Sequence, residues 1–127
     1  MKRVLVVSDD RDGAVELLNA LTASNVSYYV VTTARACLEI VEDREICAAI
    51  IDNSIMDIQG QRLLDLVLQV KPEIEVIFVN GGDDEAVEPQ VRQLGVLYYA
   101  SDLRDRKIVH IVAQLISQNG YFPRTCR

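Results

Sequence analysis

A chain of 127 residues that is 50% hydrophobic and 25% charged fits one globular domain, able to bury roughly two-thirds of the surface its unfolded form exposes; so apolar a composition excludes a disordered tail. The net charge of -6 argues against direct binding to nucleic-acid phosphates or anionic lipid, either of which needs Lys or Arg gathered on one face. No apolar run approaches a membrane span, Val4-Leu5-Val6-Val7 is too short for a signal-peptide core, and the expectation is a cytoplasmic chain whose Cys37, Cys47 and Cys126, odd in number and without CxxC spacing, are reduced thiols.

Along the chain the apolar pattern alternates between short continuous runs and helical periodicity, as buried parallel strands and amphipathic helices require. Val4-Leu5-Val6-Val7 predicts a first strand; Ala14, Leu17, Leu18 and Leu21 then recur at helical spacing behind the cap candidates Asp9 and Asp10. Residues 26–31 predict a second strand, and Thr32 or Thr33 caps a helix whose apolar face carries Ala34, Cys37, Leu38 and Val41. Residues 46–51 predict a third strand ending at Asp52, with a helix from about Gly60 that turns Leu63, Leu64, Val67 and Leu68 to one side until Pro72 stops it.

Residues 74–79 predict a fourth strand, broken by Asn80-Gly81-Gly82. A short helix follows to Leu94, opened or kinked by Pro89 and capped by Gly95. Residues 97–100 predict a fifth strand, and Ile108, Ile111, Val112 and Leu115 the inner face of a last helix that Gly120 ends. The expectation is one α/β domain over residues 1–120, a (βα)5 doubly wound parallel sheet with helices on both faces, and a tail or linker start over 121–127.

In such sheets chemistry collects beyond the carboxyl ends of the strands. Those ends carry Ser8-Asp9-Asp10, Asp52, Asn80-Gly81-Gly82 and Ser101-Asp102. Carboxylates converging on one rim repel, and a hard cation such as Mg²⁺ relieves that repulsion and neutralises an incoming phosphoryl group. Asp and Asn at strand ends also serve as helix caps and turn formers, which is the simpler reading of Asp10. His110 is the only histidine and lies among apolar residues of the last helix, so a histidine-based triad is unavailable and no enzymatic activity is expected.

The segment Ile50-Ile51-Asp52-Asn53-Ser54-Ile55-Met56-Asp57-Ile58-Gln59-Gly60 resembles the receiver domain of bacterial response regulators, and the likeness extends over essentially the whole chain. It implies a flavodoxin-like sheet in the order 2-1-3-4-5, Asp52 as phosphoacceptor, and Mg²⁺ held weakly by Asp9, Asp52 and the backbone carbonyl of Ser54. It implies Asn80 and Tyr99 as the switch pair and a histidine kinase or phosphotransfer protein as partner, with a homodimer possible through the fourth helix, fifth strand and fifth helix. The sequence departs from the family at Ser8, where an acidic residue is usual, at Asn80, where a hydroxyl is usual, and at Asp102, where a lysine is usual. Replacing that cation by an anion about 4 Å from a phosphoryl group costs roughly 4 kcal/mol of attraction at an effective dielectric of 20.

Two functions follow: a phosphorelay receiver that accepts a phosphoryl group on Asp52, and a degenerate receiver that keeps the fold and serves as a phosphorylation-independent interaction module. A dehalogenase-like phosphatase would need an aspartate where Ser54 stands, and a nucleotide-binding domain a glycine-rich loop where Ser8-Asp9-Asp10-Arg11-Asp12-Gly13 stands.

Overall fold

A computed structural model describes residues 2–82 and 84–117. Five parallel strands alternate with five helices: β1 Arg3–Val7, α1 Arg11–Ala23, β2 Ser27–Val31, α2 Ala34–Ile40, β3 Ile46–Asp52, α3 Gly60–Val70, β4 Glu75–Val79, α4 Val87–Gln93, β5 Tyr98–Ala100 and α5 Arg106–Ser117. The sheet order is β2-β1-β3-β4-β5. All ten elements fall where the apolar pattern puts them, with ends shifted by a residue or two. The expected stop at Gly120 and the tail over 121–127 lie outside the described residues.

The strands read as nearly continuous apolar runs because both faces of the sheet are covered. Val4, Val6, Ala48, Ile50, Ile77 and Val79 face the layer of α1 and α5, where Leu17, Leu21, Ile108 and Val112 complete one core. Leu5, Val7, Ala49, Ile51, Val76 and Phe78 face α2, α3 and α4 and pack with Cys37, Leu63, Leu64, Val67 and Val91. The β1–β3 register jumps from Arg3↔Ile46 to Val4↔Ala48. That irregularity puts neighbouring Cys47 and Ala48 on the same face, where strict alternation would separate them.

Local chemistry sets the ends of the elements. Asp10 caps α1 by accepting the N–H of Gly13 at 3.2 Å, and Thr33, not Thr32, caps α2 through Ala36 N–H. Pro89 sits in the first turn of α4, where its missing N–H has no partner to lose. Gly95 has φ +90, the left-handed turn that a glycine after a helix supplies. Lys71, just past α3, donates to the carbonyls of Val41, Asp43 and Ile46 at 3.3, 2.8 and 2.5 Å, tying down the connection from α2 to β3; desolvation holds its pKa below the ordinary lysine value.

Cysteine usage departs from expectation. Cys37 is a free, fully buried thiol, and burial pushes its pKa up to about 12. Cys47 is disulfide-bonded, against the expectation of reduced thiols.

Candidate functional site

The carboxyl ends of β1, β3, β4 and β5 form one rim, and Asp52 stands at its centre as the last residue of β3, 5% exposed. Its Oδ2 accepts two hydroxyl bonds, from Ser8 Oγ at 2.7 Å and from Ser54 Oγ at 2.8 Å. Each hydroxyl in turn accepts a backbone N–H from the loop after β1. Asp10 N–H reaches Ser8 Oγ at 3.0 Å, and Asp9 N–H reaches Ser54 Oγ at 3.0 Å. The hydroxyl protons are therefore committed to the carboxylate, and the clamp joins β1, β3 and the segment that follows β3. Hydrogen bonds to a charged acceptor in so closed a setting contribute about 1.5–3 kcal/mol each.

The residues that the sequence assigns to a cation are only partly assembled. Asp52 and Ser54 meet through the side-chain hydroxyl of Ser54, so the serine side chain counts. Asp9 is exposed, and Asp10 spends its carboxylate on the α1 cap. Among the described residues no group of three or more His, Cys, Asp or Glu side chains could hold a metal. Asp52 Oδ2, already accepting two hydroxyls, offers little to Mg²⁺, which wants several anionic or carbonyl oxygens in near-octahedral array. Ser8 fills with a neutral donor the place where a second carboxylate would be needed.

Position 102 is held within its own loop. The Asp102 side chain is 52% exposed and pairs with Arg104 at 3.3 Å, its Oδ1 accepting the Arg104 N–H at 2.8 Å. Arg104 reaches Glu16 on α1 at 3.2 Å as well. The carboxylate is folded onto its own loop and paired there with Arg104. The nearby guanidinium is committed away from the rim.

Asn80, 5% exposed, holds its place by donating its backbone N–H to Ala100 at 2.9 Å. Its side-chain amide donates to the Tyr99 hydroxyl at 3.0 Å, so the switch pair named from the sequence is in contact. An open groove of about 570 Å³ lies beside it, lined by Asn80, Asp84, Glu88, Tyr99 and Ser101 among others.

Two residues that sequence reasoning passed over complete the rim. Asn53 accepts the N–H of Gly60 at 2.7 Å and donates to Asn80 Oδ1 at 3.3 Å. Asp57 reaches across to α2 and accepts Ala34 N–H at 2.9 Å and Arg35 N–H at 3.1 Å; the Ala34 bond above all holds its carboxyl below the usual carboxylate range. Neither residue follows an apolar run or completes a local motif, so no signal in the sequence marks them.

The chain matches no protein-family model and no curated protein. Solved structures match it along most of its length. A CheY-like response regulator receiver domain protein from Methanospirillum hungatei JF-1 superposes with a TM-score of 0.79 at 21% identity, over 90% of this chain and 92% of that one. The receiver domain of NtrX from Brucella abortus gives 0.74 at 19%, over 87% and 94%. A response regulator from Burkholderia pseudomallei, solved with a phosphorylated aspartic acid, a calcium ion and citrate, gives 0.70 at 17%, over 79% of this chain and 59% of that one. At these identities the likeness is one of fold: a five-stranded flavodoxin-like sheet in the order 2-1-3-4-5 with its strand-end rim.

Proposed function

We propose that this chain, built on the fold of response-regulator receiver domains, is a two-component signalling module that works as a phosphorylation-independent interaction domain. The observation that carries this reading is the clamp of Ser8 and Ser54 on Asp52 Oδ2 at 2.7 and 2.8 Å. A phosphoacceptor carboxylate must present an oxygen to phosphorus and then tolerate added negative charge. Here attack through Oδ2 would give up two charge-assisted bonds, and Arg104 is already bound to Asp102 and Glu16.

Its partner in this reading is a histidine kinase, a phosphotransfer protein or a second copy of the chain, met through α4, β5 and α5 without any catalysis by the chain itself. Acidic net charge disfavours nucleic acid, and among the described residues no helix is long and apolar enough to cross a membrane. The reading places the chain in the cytoplasm.

The second reading, phosphoryl transfer from a histidine kinase to Asp52 with Mg²⁺, is favoured by one feature: Asp52 ends β3 on the same rim as the Asn80 amide, a hydrogen-bond donor for a phosphoryl oxygen. Titration of the chain with Mg²⁺ and then beryllofluoride, followed by NMR and intact mass beside an Asp52→Asn control, separates the two. The interaction-module reading expects no shifts at Asp9, Asp52 or Asn80 at millimolar Mg²⁺; shifts that appear there and vanish in the control would overturn it.

A further inference from the structure

Asn53 is the first residue beyond β3, and its side-chain amide makes two bonds at once. Oδ1 accepts the Gly60 N–H at 2.7 Å while Nδ2 donates to Asn80 Oδ1 at 3.3 Å. Asn80 repeats the arrangement: Oδ1 also accepts the Gly82 N–H at 3.2 Å, and Nδ2 donates to the Tyr99 hydroxyl at 3.0 Å. Backbone N–H groups can only donate. Gly60 and Gly82 therefore fix which end of each amide is oxygen, because a flip of either side chain would set an NH₂ against an N–H. The direction of donation, from Asn53 to Asn80 to Tyr99, is imposed by the backbone at both steps.

Tyr99 is also held through its ring. It packs against the core on the α2–α4 face and stacks on Phe78 with ring centroids 6.1 Å apart. The Arg92 guanidinium lies 5.8 Å from its ring centroid, itself tied to Glu88 at 2.7 Å. Gly60 belongs to the same device: a Cβ there would lie 2.5 Å from Asn53 Oδ1 and 3.1 Å from its Cα, so only glycine lets the Asn53 amide sit where it does.

We infer that Asn53 is a positioning residue and that the Asn53–Asn80 pair is a strut that locks Tyr99 in one core-packed rotamer. The β4–β5 face is thereby presented in a single form whatever the state of Asp52. The inference goes beyond the proposed function, since the strut would fix Tyr99 in a phosphorylated chain as much as in an unmodified one.

NMR on the full chain tests it by reading each end of the strut from the other. Wild type is expected to show one Tyr99 χ1 rotamer and slowly exchanging Asn80 side-chain amide protons. Asn53→Asp keeps the acceptor for Gly60 but turns the donor facing Asn80 into an acceptor; it is expected to bring Tyr99 into rotamer averaging and to speed exchange of the Asn80 amide about tenfold, the effect of losing one hydrogen bond. Tyr99→Phe, which leaves β3 and its loop untouched, is expected to speed exchange of the Asn53 amide, and this arm decides alone if Asn53→Asp does not fold. Two Tyr99 rotamers in wild type, an unmoved Tyr99 in folded Asn53→Asp, or an unmoved Asn53 amide in Tyr99→Phe would each overturn the strut. None of these results depends on beryllofluoride, so loss of the strut and loss of the Asp52 reading are told apart.

Discussion

The two halves of the rim solve the same problem, polar groups buried at the mouth of a sheet, by different means. Over β1 and β3, neutral hydroxyls close on a carboxylate. From the end of β3 across β4 to β5, amides pass hydrogen bonds to a phenol, with no charged group in the series. In the first half the arrangement depends on charge, because Ser8 and Ser54 both donate and so require Asp52 to be the acceptor. In the second it depends on shape, because backbone N–H groups dictate the orientation of each amide. The hydroxyl half should therefore respond to added charge, and the amide half to steric change.

Ser8→Asp should break the comparison most. It would set a carboxylate at a site 3% exposed, against the one already at Asp52, and an uncompensated buried charge costs about 3–5 kcal/mol. Thermal denaturation should show a large fall in Tm that Mg²⁺ partly restores, because a cation that binds only the folded pair of carboxylates stabilises it by mass action. The wild-type Tm should be indifferent to Mg²⁺. Equal Mg²⁺ dependence in the two proteins would show that Ser8 is not what weakens the metal site.

Gly60→Ala probes the other half by shape alone. The added methyl meets Asn53 Oδ1 and Cα, and overpacking of this kind costs about 1–3 kcal/mol. Urea denaturation should record that loss without any change in its dependence on Mg²⁺. Ser54→Ala should cost a comparable amount, about 1.5–3 kcal/mol for one hydrogen bond to the charged Asp52. Combined with Ser8→Ala it should show coupling, since both hydroxyls serve the same oxygen; strict additivity in the double-mutant cycle would mean that the clamp does not act as a unit.

The fold was legible because its signal is periodic. Every strand is a run of residues such as Val4-Leu5-Val6-Val7, and every helix but the short α4 repeats apolar residues at three- and four-residue spacing, which burial on two faces of one sheet demands. Asp52 and Asn80 were legible because each closes such a run and so must stand at the rim, and Tyr99, inside its strand, was marked by the resemblance to receiver domains. The use made of them was not. That Ser8 would donate to Asp52, that Asp102 would fold back onto Arg104, and that Asn53 would bridge Gly60 and Asn80 depend on loop paths between residues as many as 44 positions apart. Periodicity does not encode those paths.

Asp57 offers the smallest test, and it contrasts charge with shape inside a single loop. Its carboxylate is exposed and accepts the N–H groups of Ala34 and Arg35 at the start of α2, while Asn53, four residues earlier, serves α3 with a neutral amide. Because these bonds favour the ionised form, the folded-state pKa of Asp57 lies below the ordinary value, and the stability it adds is fully present above the unfolded-state pKa. That stability drains away as pH falls through the folded-state value. Asp57→Asn lacks the ionisation but keeps one acceptor, so it should be slightly less stable than wild type at neutral pH and converge with it in acid. Urea denaturation of both proteins at a series of pH values checks this. A gap that stays constant into acid would mean that Asp57 holds α2 by geometry, as Asn53 holds α3, and would erase the distinction between charge and shape within this loop.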